Sequence, residues 1–302
     1  IDDLGAKDKV RLRATKTGMY YSNKFYKLSS PLDLLKFKAL SFVGRVRLGL
    51  LALKARRIKD WEVLEKISAS QWLRDMAGEE VYQVVWEPLL RGKFGEAAED
   101  VSAVWMWNKL KLRGGSRGSK SEEQLAYFEG GFRALLNKLV DYIEEHGGQV
   151  ITGSQVQKLI ISEQKITGVE TADCVYEANT VVLTTPLPIS ARLLRDHVSK
   201  KYLEKINRIK FLANICIVLE LKKSLSSTYW LNVNDPTFPF VAVIEHTNFE
   251  DANFYGGRHI VYLSKYLPET DKLYTMSDDD AVAYSLENIK KMFPHFSSDW
   301  LL

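Results

Sequence analysis

Two side chains able to move protons stand next to each other at Glu245 and His246, at the polar end of an apolar run from Phe240 to Thr247. A carboxylate and an imidazole are the usual acid–base groups near neutral pH. In a strand, however, neighbours alternate faces, so at most one of the two can meet a given substrate. Asn248 adds polarity without a decisive geometry. Arg91 and Lys93 follow Pro88 and could bind an acidic group on a substrate. For each of these residues the competing reading is surface charge or a structural hydrogen bond. Cys174 and Cys216 are the only cysteines, far apart and without CxxC spacing. They argue against a zinc site or a disulfide framework, and for a reducing compartment.

The elements that must position these groups are helical in the first third. Ser30-Pro31, Ser41, Ser68 and Ser102 each open a helical pattern with a capping residue, and Gly78 is a stop. The segment from Arg113 to Lys120 has the composition of a flexible glycine-rich loop. Gly130-Gly131 then leads into a helix with an apolar stripe of Phe132, Leu135, Leu136, Leu139, Val140 and Ile143, ended by Gly147-Gly148. Short strands are expected at 149–152, 155–162, 166–171, 174–176 and 180–185, in antiparallel meander order. A helix-like basic linker at 190–208 precedes strands at 215–221, 240–247 and 259–263, and Ser277 caps a last helix.

Of 302 residues, 46% are hydrophobic and 26% charged, which is globular composition with material for one large or two ordinary domains. The net charge of +4 is too small to indicate nucleic acid. No apolar run is long enough to span a membrane as a helix. From Lys36 to Lys59 every charge is positive. A helix there could lie on a membrane surface, or it could pack its Phe42, Val46, Leu50 and Leu53 stripe into a core; core packing is the expectation. The aromatic clusters Trp105-Met106-Trp107 and Phe293 to Trp300 are expected in a core or interface.

Several ordered landmarks carry a resemblance. They are Tyr127-Phe128-Glu129-Gly130-Gly131-Phe132, Gly153-Ser154-Gln155-Val156-Gln157-Lys158-Leu159, and Val181-Val182-Leu183-Thr184-Thr185-Pro186-Leu187-Pro188. With Trp86-Glu87-Pro88-Leu89-Leu90-Arg91-Gly92-Lys93-Phe94-Gly95 they run across most of the chain. Each is degenerate, and their order makes the match. The sequence resembles the flavin-containing amine oxidase superfamily, in its protoporphyrinogen oxidase-like and phytoene desaturase-like branch.

That resemblance implies an α/β (α+β) architecture. A partial FAD/NAD(P)-binding-type domain at 127–189 would be interleaved with a mixed helix-plus-sheet substrate-binding domain, helical at 1–126 and sheet-forming at 190–302. It also implies a backbone contact from Val156 to the adenine of FAD, and Thr184, Thr185 and Pro186 lying against the cofactor. Gly130 and Gly131 would allow close packing there. The family's GxGxxG phosphate turn is missing, so the chain is expected to be an internal fragment that binds FAD only in its full-length parent and is inactive alone. Ile1 and the apolar Trp300-Leu301-Leu302 read as cut ends. A UDP-galactopyranose mutase-like isomerase and a cofactor-free binding module are the rival readings. A small-molecule substrate, no nucleic acid, peripheral membrane contact through 36–59 as the one macromolecular option, and a cytoplasmic location complete the expectation.

Overall fold

The computed structural model describes every residue except Ser29 and 116–123, and the side chains of 113–115. Most of the expected Arg113–Lys120 loop therefore lies outside the described residues, and its first three residues complete the helix Ala103–Gly115. The chain divides into two compact units: Ile1–Lys9 with Phe128–Phe211, and Val10–Tyr127 with Leu212–Leu302. The first unit thus runs past Ile189 and includes the basic linker, which folds as the helices Leu187–Leu194 and Lys200–Asn207.

The strands are β1 (Val10–Ala14), β2 (Thr17–Tyr21), β3 (Lys24–Lys27), β4 (Gln124–Phe128), β5 (Lys158–Ser162), β6 (Lys165–Glu170), β7 (Val175–Glu177), β8 (Ala213–Leu221), β9 (Trp230–Val233), β10 (Ala242–Glu245) and β11 (His259–Leu267). The first three correct the helical reading of the N-terminal third. Alternation in Val10-Arg11-Leu12-Arg13 and aromatic residues at Tyr20, Tyr21, Phe25 and Tyr26 favour strands. Ser22 and Asn23, both at positive φ (51° and 58°), close the β2–β3 hairpin.

The larger unit is built on a six-stranded sheet of order β3-β2-β9-β10-β11-β8. Only the β2–β9 pair is parallel. One face, carrying Leu219, Leu221, Leu231, Val233, Val243, Val261 and Leu263, packs on Ile289 and Met292 of the helix Asp278–Met292 and on Phe293 and Phe296. A second core joins the helices Phe42–Arg57, Ala69–Ala77 and Ala103–Gly115 to a helical run from Glu79 to Phe94.

That run is interrupted by a π-helical turn, Tyr82–Trp86, directly before Pro88. Proline has no N–H, so the Val84 carbonyl four residues earlier loses its ordinary donor. The buried Asn234, following β9, replaces it: its Nδ2 donates to the carbonyls of Val84 at 3.1 Å and Val85 at 3.0 Å. Two turns on, Gly92 lets the helix Glu87–Phe94 approach the sheet, because a Cβ there would stand 2.6 Å from Val241 Cγ1. Gly95, at φ 57°, ends it.

The smaller unit holds the helix Gly131–Glu145 and the antiparallel meander β5-β6-β7. Two expected strands, 149–152 and 180–185, are absent, since neither segment finds a ladder partner among the described residues. The apolar stripe of the helix is uncovered: no residue of the helix is buried, and Phe132 is 75% exposed. Val182, in the unpaired segment, is 79% exposed.

The Asn234 pin has a measurable weight. Asn234→Ala removes the side-chain donor to the Val84 and Val85 carbonyls, the first of which Pro88 deprives of its helical N–H, and should cost about 1–3 kcal/mol in all. Thermal melting should show the variant destabilised by that amount, and a melt indistinguishable from wild type would mean that water or relaxation replaces the amide.

Candidate functional site

The second face of the large sheet is aromatic and polar. Register places Asn232, Ala242, Ser264 and Cys216 in one cross-strand row, and Trp230, Ile244, Tyr262 and Val218 in the next. Where the helices meet this face they enclose a cavity of about 260 Å³. Trp86, Trp105, Trp230 and Tyr266 supply its aromatic walls, and Lys93 and Lys109 are the charged groups among its described lining residues. Lys93 Nζ stands 4.2 Å from the centre of the Tyr266 ring, and Lys109 Nζ 5.6 Å from that of Trp105. The indole Nε1 of Trp86 is buried without a partner. An apolar, aromatic chamber with a few polar groups is the usual form of a small-molecule site.

The structure separates the four charged candidates. Lys93 lines the cavity. Arg91 pairs with Glu87 at 2.9 Å and Glu99 at 3.8 Å. Glu245 is 1% exposed and holds the 224–228 loop, accepting from the backbone N–H of Leu225 at 3.2 Å and of Ser226 at 2.9 Å. Burial raises its pKa above the ordinary carboxyl value, against the pull of those hydrogen bonds. Asn248 completes the same brace, donating to the Ser226 and Thr228 carbonyls.

His246 points elsewhere, into a tyrosine cluster. Its Nε2 lies 2.5 Å from the Tyr255 hydroxyl, which is 3.4 Å from that of Tyr127. Tyr262 and Phe249 surround the imidazole. Burial lowers the His246 pKa, with Glu250 opposing it. Burial, followed by the hydrogen bond to Tyr127, pushes Tyr255 well above its ordinary value. The Tyr255 hydroxyl has one proton, so it donates to one of these two neighbours and accepts from the other. Such a chain can hold or pass a proton, although Glu250 is occupied by Arg13 at 2.8 Å.

The residues matched to cofactor contacts all lie in the smaller unit. Gly130 and Gly131 adopt φ of 82° and 77°, a left-handed start to the helix that explains both glycines. Val156 is half-buried just before β5, where the neighbouring Gln157 N–H donates to Glu170. Thr184, Thr185 and Pro186 are exposed, and Thr185 Oγ1 meets Ser190 Oγ at 2.8 Å. These residues leave an accessible segment, but no Gly-x-Gly spacing occurs in the sequence to cradle a pyrophosphate. The residues present do not make a complete FAD site.

A model of the flavin containing amine oxidoreductases matches residues 1–301. The chain belongs to that family. Solved structures share its fold. An oxidoreductase from Methanosarcina mazei is 18% identical with a TM-score of 0.73, over 97% of this chain and 69% of that one. A candidate protoporphyrinogen oxidase from Exiguobacterium is 14% identical with a TM-score of 0.75, over 100% and 70%. A reduced UDP-galactopyranose mutase is 11% identical with a TM-score of 0.69, over 100% and 67%. At these identities the likeness is one of fold, the α/β flavin oxidoreductase type. A search of curated proteins finds no match.

In this member of the family, Trp230 and Tyr266 were not singled out from sequence, Trp86 was read only as the first residue of a family landmark, and Trp105 was assigned to core or interface. Met106 and Trp107 are buried as expected, but Trp105 turns to the cavity. The signal for Trp86 lay in its place before Pro88; Trp230 and Tyr266 needed the register of β9 and β11.

The opposed shifts of His246 and Glu245 set a pH dependence. A base whose folded pKa is depressed below its ordinary 6.5 gives its full stability above that value, and loses it as pH falls towards the folded value. Glu245, raised, contributes most at low pH and loses its contribution as pH rises. His246→Gln should therefore flatten the fall in melting temperature between about pH 7 and pH 5. An unchanged slope would show that the imidazole is not held neutral by burial.

Proposed function

We propose that this chain is the substrate-binding part, with a portion of the FAD-binding unit, of an FAD-dependent oxidoreductase that removes a hydride from a C–H bond of a small molecule. The observation that carries the reading is the aromatic cavity on the second face of the six-stranded sheet, in a chain of the flavin amine oxidoreductase family. The exposed stripe of the helix Gly131–Glu145 and the unpaired 180–185 segment support the further reading that more of a nucleotide-binding sheet covers them in a longer polypeptide. Without a phosphate cradle of its own, residues 1–302 would bind no FAD and be inactive alone, and the parent would work in the cytoplasm.

The cavity also favours a substrate class. Lys93 and Lys109 are cationic, and no carboxylate stands among the described lining residues, so an amine cation would meet like charge there. An aromatic or conjugated body bearing a carboxylate would pair with the ammonium groups while its rings pack between the indoles.

Two experiments test this. Purified full-length protein should show flavin absorbance and residues 1–302 alone should not; a colourless full-length protein would overturn the flavin reading. In calorimetric titrations indole-3-acetate should bind better than tryptamine, and Lys93→Met should weaken the acetate about tenfold or more by removing a charged hydrogen bond. Equal binding of the two probes would contradict the substrate class while leaving the flavin result untouched.

A further inference from the structure

The helix Phe42–Arg57 is turned the opposite way from the expectation that its large apolar residues pack inward. Its buried residues are Gly44, Leu51 and Ala55, with Leu48 partly buried against the same core. Phe42, Val43, Val46, Leu50 and Leu53 face outward, at 66%, 56%, 42%, 44% and 53% exposure. The packed edge is narrow because Gly44 and Ala55 let neighbours come close; in place of a side chain at Gly44, the Glu80 carboxylate occupies the space. The preceding helix, Pro31–Leu35, extends the apolar surface with Leu32 and Leu35, both more than half exposed. Arg45 ties the two helices together by donating to the Leu35 carbonyl.

At about 100° per residue the five outward apolar side chains fall on one side of the helix. Arg45 and Arg56 fall along one flank of that stripe, and Arg47 and Lys54 along the other. Lys36, Lys38, Arg57 and Lys59 add to the same charge, and the sequence from Lys36 to Lys59 contains no acid. Arg47 and Lys54 also line a hollow with Leu50 and Arg74; its one acid, Asp75, is hydrogen-bonded to Gln71. Arg57 falls in line with the stripe at the last residue of the helix; the rest of the face is apolar in the middle and basic along both edges, and fits a surface that is apolar beneath and anionic at its rim. No helix among the described residues is long and apolar enough to cross a membrane, which leaves the surface-lying mode for this one.

We propose that the face formed by the helices Pro31–Leu35 and Phe42–Arg57 docks on an anionic lipid surface, with Phe42, Val46, Leu50 and Leu53 entering the acyl boundary and the flanking arginines and lysines meeting the headgroups. Two terms make the contact. The apolar one is insensitive to salt, whereas the basic one falls with ionic strength as counterions screen it. Each cation close to such a surface contributes about fivefold in partitioning.

The test is co-sedimentation of the full-length protein with vesicles, either of phosphatidylcholine alone or of phosphatidylcholine mixed with phosphatidylglycerol. The expected result is binding to the mixed vesicles only, weakened by added salt. Two double variants on exposed positions should each reduce it about tenfold or more while leaving the thermal melt unchanged: Phe42→Ser with Leu53→Ser, and Lys54→Glu with Arg56→Glu. Equal binding to neutral vesicles would overturn the role given to the basic flanks. Absence of binding would overturn the proposal altogether. If, in addition, the protein sediments as a dimer that Phe42→Ser with Leu53→Ser dissociates, the face is a contact between two copies of the chain.

Discussion

The large unit depends on one buried polar contact between its two layers. Pro88 removes a helical donor, the π turn at Tyr82–Trp86 displaces the backbone, and Asn234 donates hydrogen bonds there from the end of the interior strand β9. A buried carbonyl without a donor is costly, so this contact specifies one placement of the helix on the sheet where apolar packing would tolerate several. Gly92 then removes the only Cβ that would hold the helix Glu87–Phe94 away from Val241. Trp86 and Lys93, on either side of these two constraints, reach the same cavity.

Strand alternation does the rest. Leu231, Val233, Val243, Val261 and Leu263, alternate residues of β9, β10 and β11, pack with the C-terminal helix, and the residues between them form the aromatic and polar face. The same alternation divides Glu245 from His246. The carboxylate braces a loop from within the protein, and the imidazole joins the Tyr127, Tyr255 and Tyr262 cluster. A pair that suggests acid–base chemistry when read along the chain is two separate roles in space, and only the histidine joins a chain of hydroxyl groups.

Local chemistry was legible where it is decided locally. Ser30, Ser41, Ser68 and Ser277 cap the helices they precede, because capping needs only a side-chain oxygen beside free N–H groups. The segment from Trp86 to Gly95 was recognisable as a motif, and the structure explains it residue by residue: an indole in the cavity, a proline that opens the backbone, Leu90 in the core, a glycine at close approach, a cavity lysine and a glycine stop. What depends on distant partners was not legible. The hairpin at β2 and β3 is completed by β9, more than two hundred residues later. Segments 149–152 and 180–185 have strand composition without a partner to pair with. The helix Phe42–Arg57 has apolar residues on two sides, and the small ones won the core because they allow the closer approach.

The central claim is that the cavity behind the Asn234 pin is where the substrate sits. The most direct measurement is a crystal structure of the full-length protein soaked with 4-iodobenzoate, a ring of similar chemistry whose iodine is located by its anomalous signal. The account predicts iodine density among Trp86, Trp105 and Trp230, with the carboxylate beside Lys93. Density only at other places, with this cavity filled by ordered water, would contradict it.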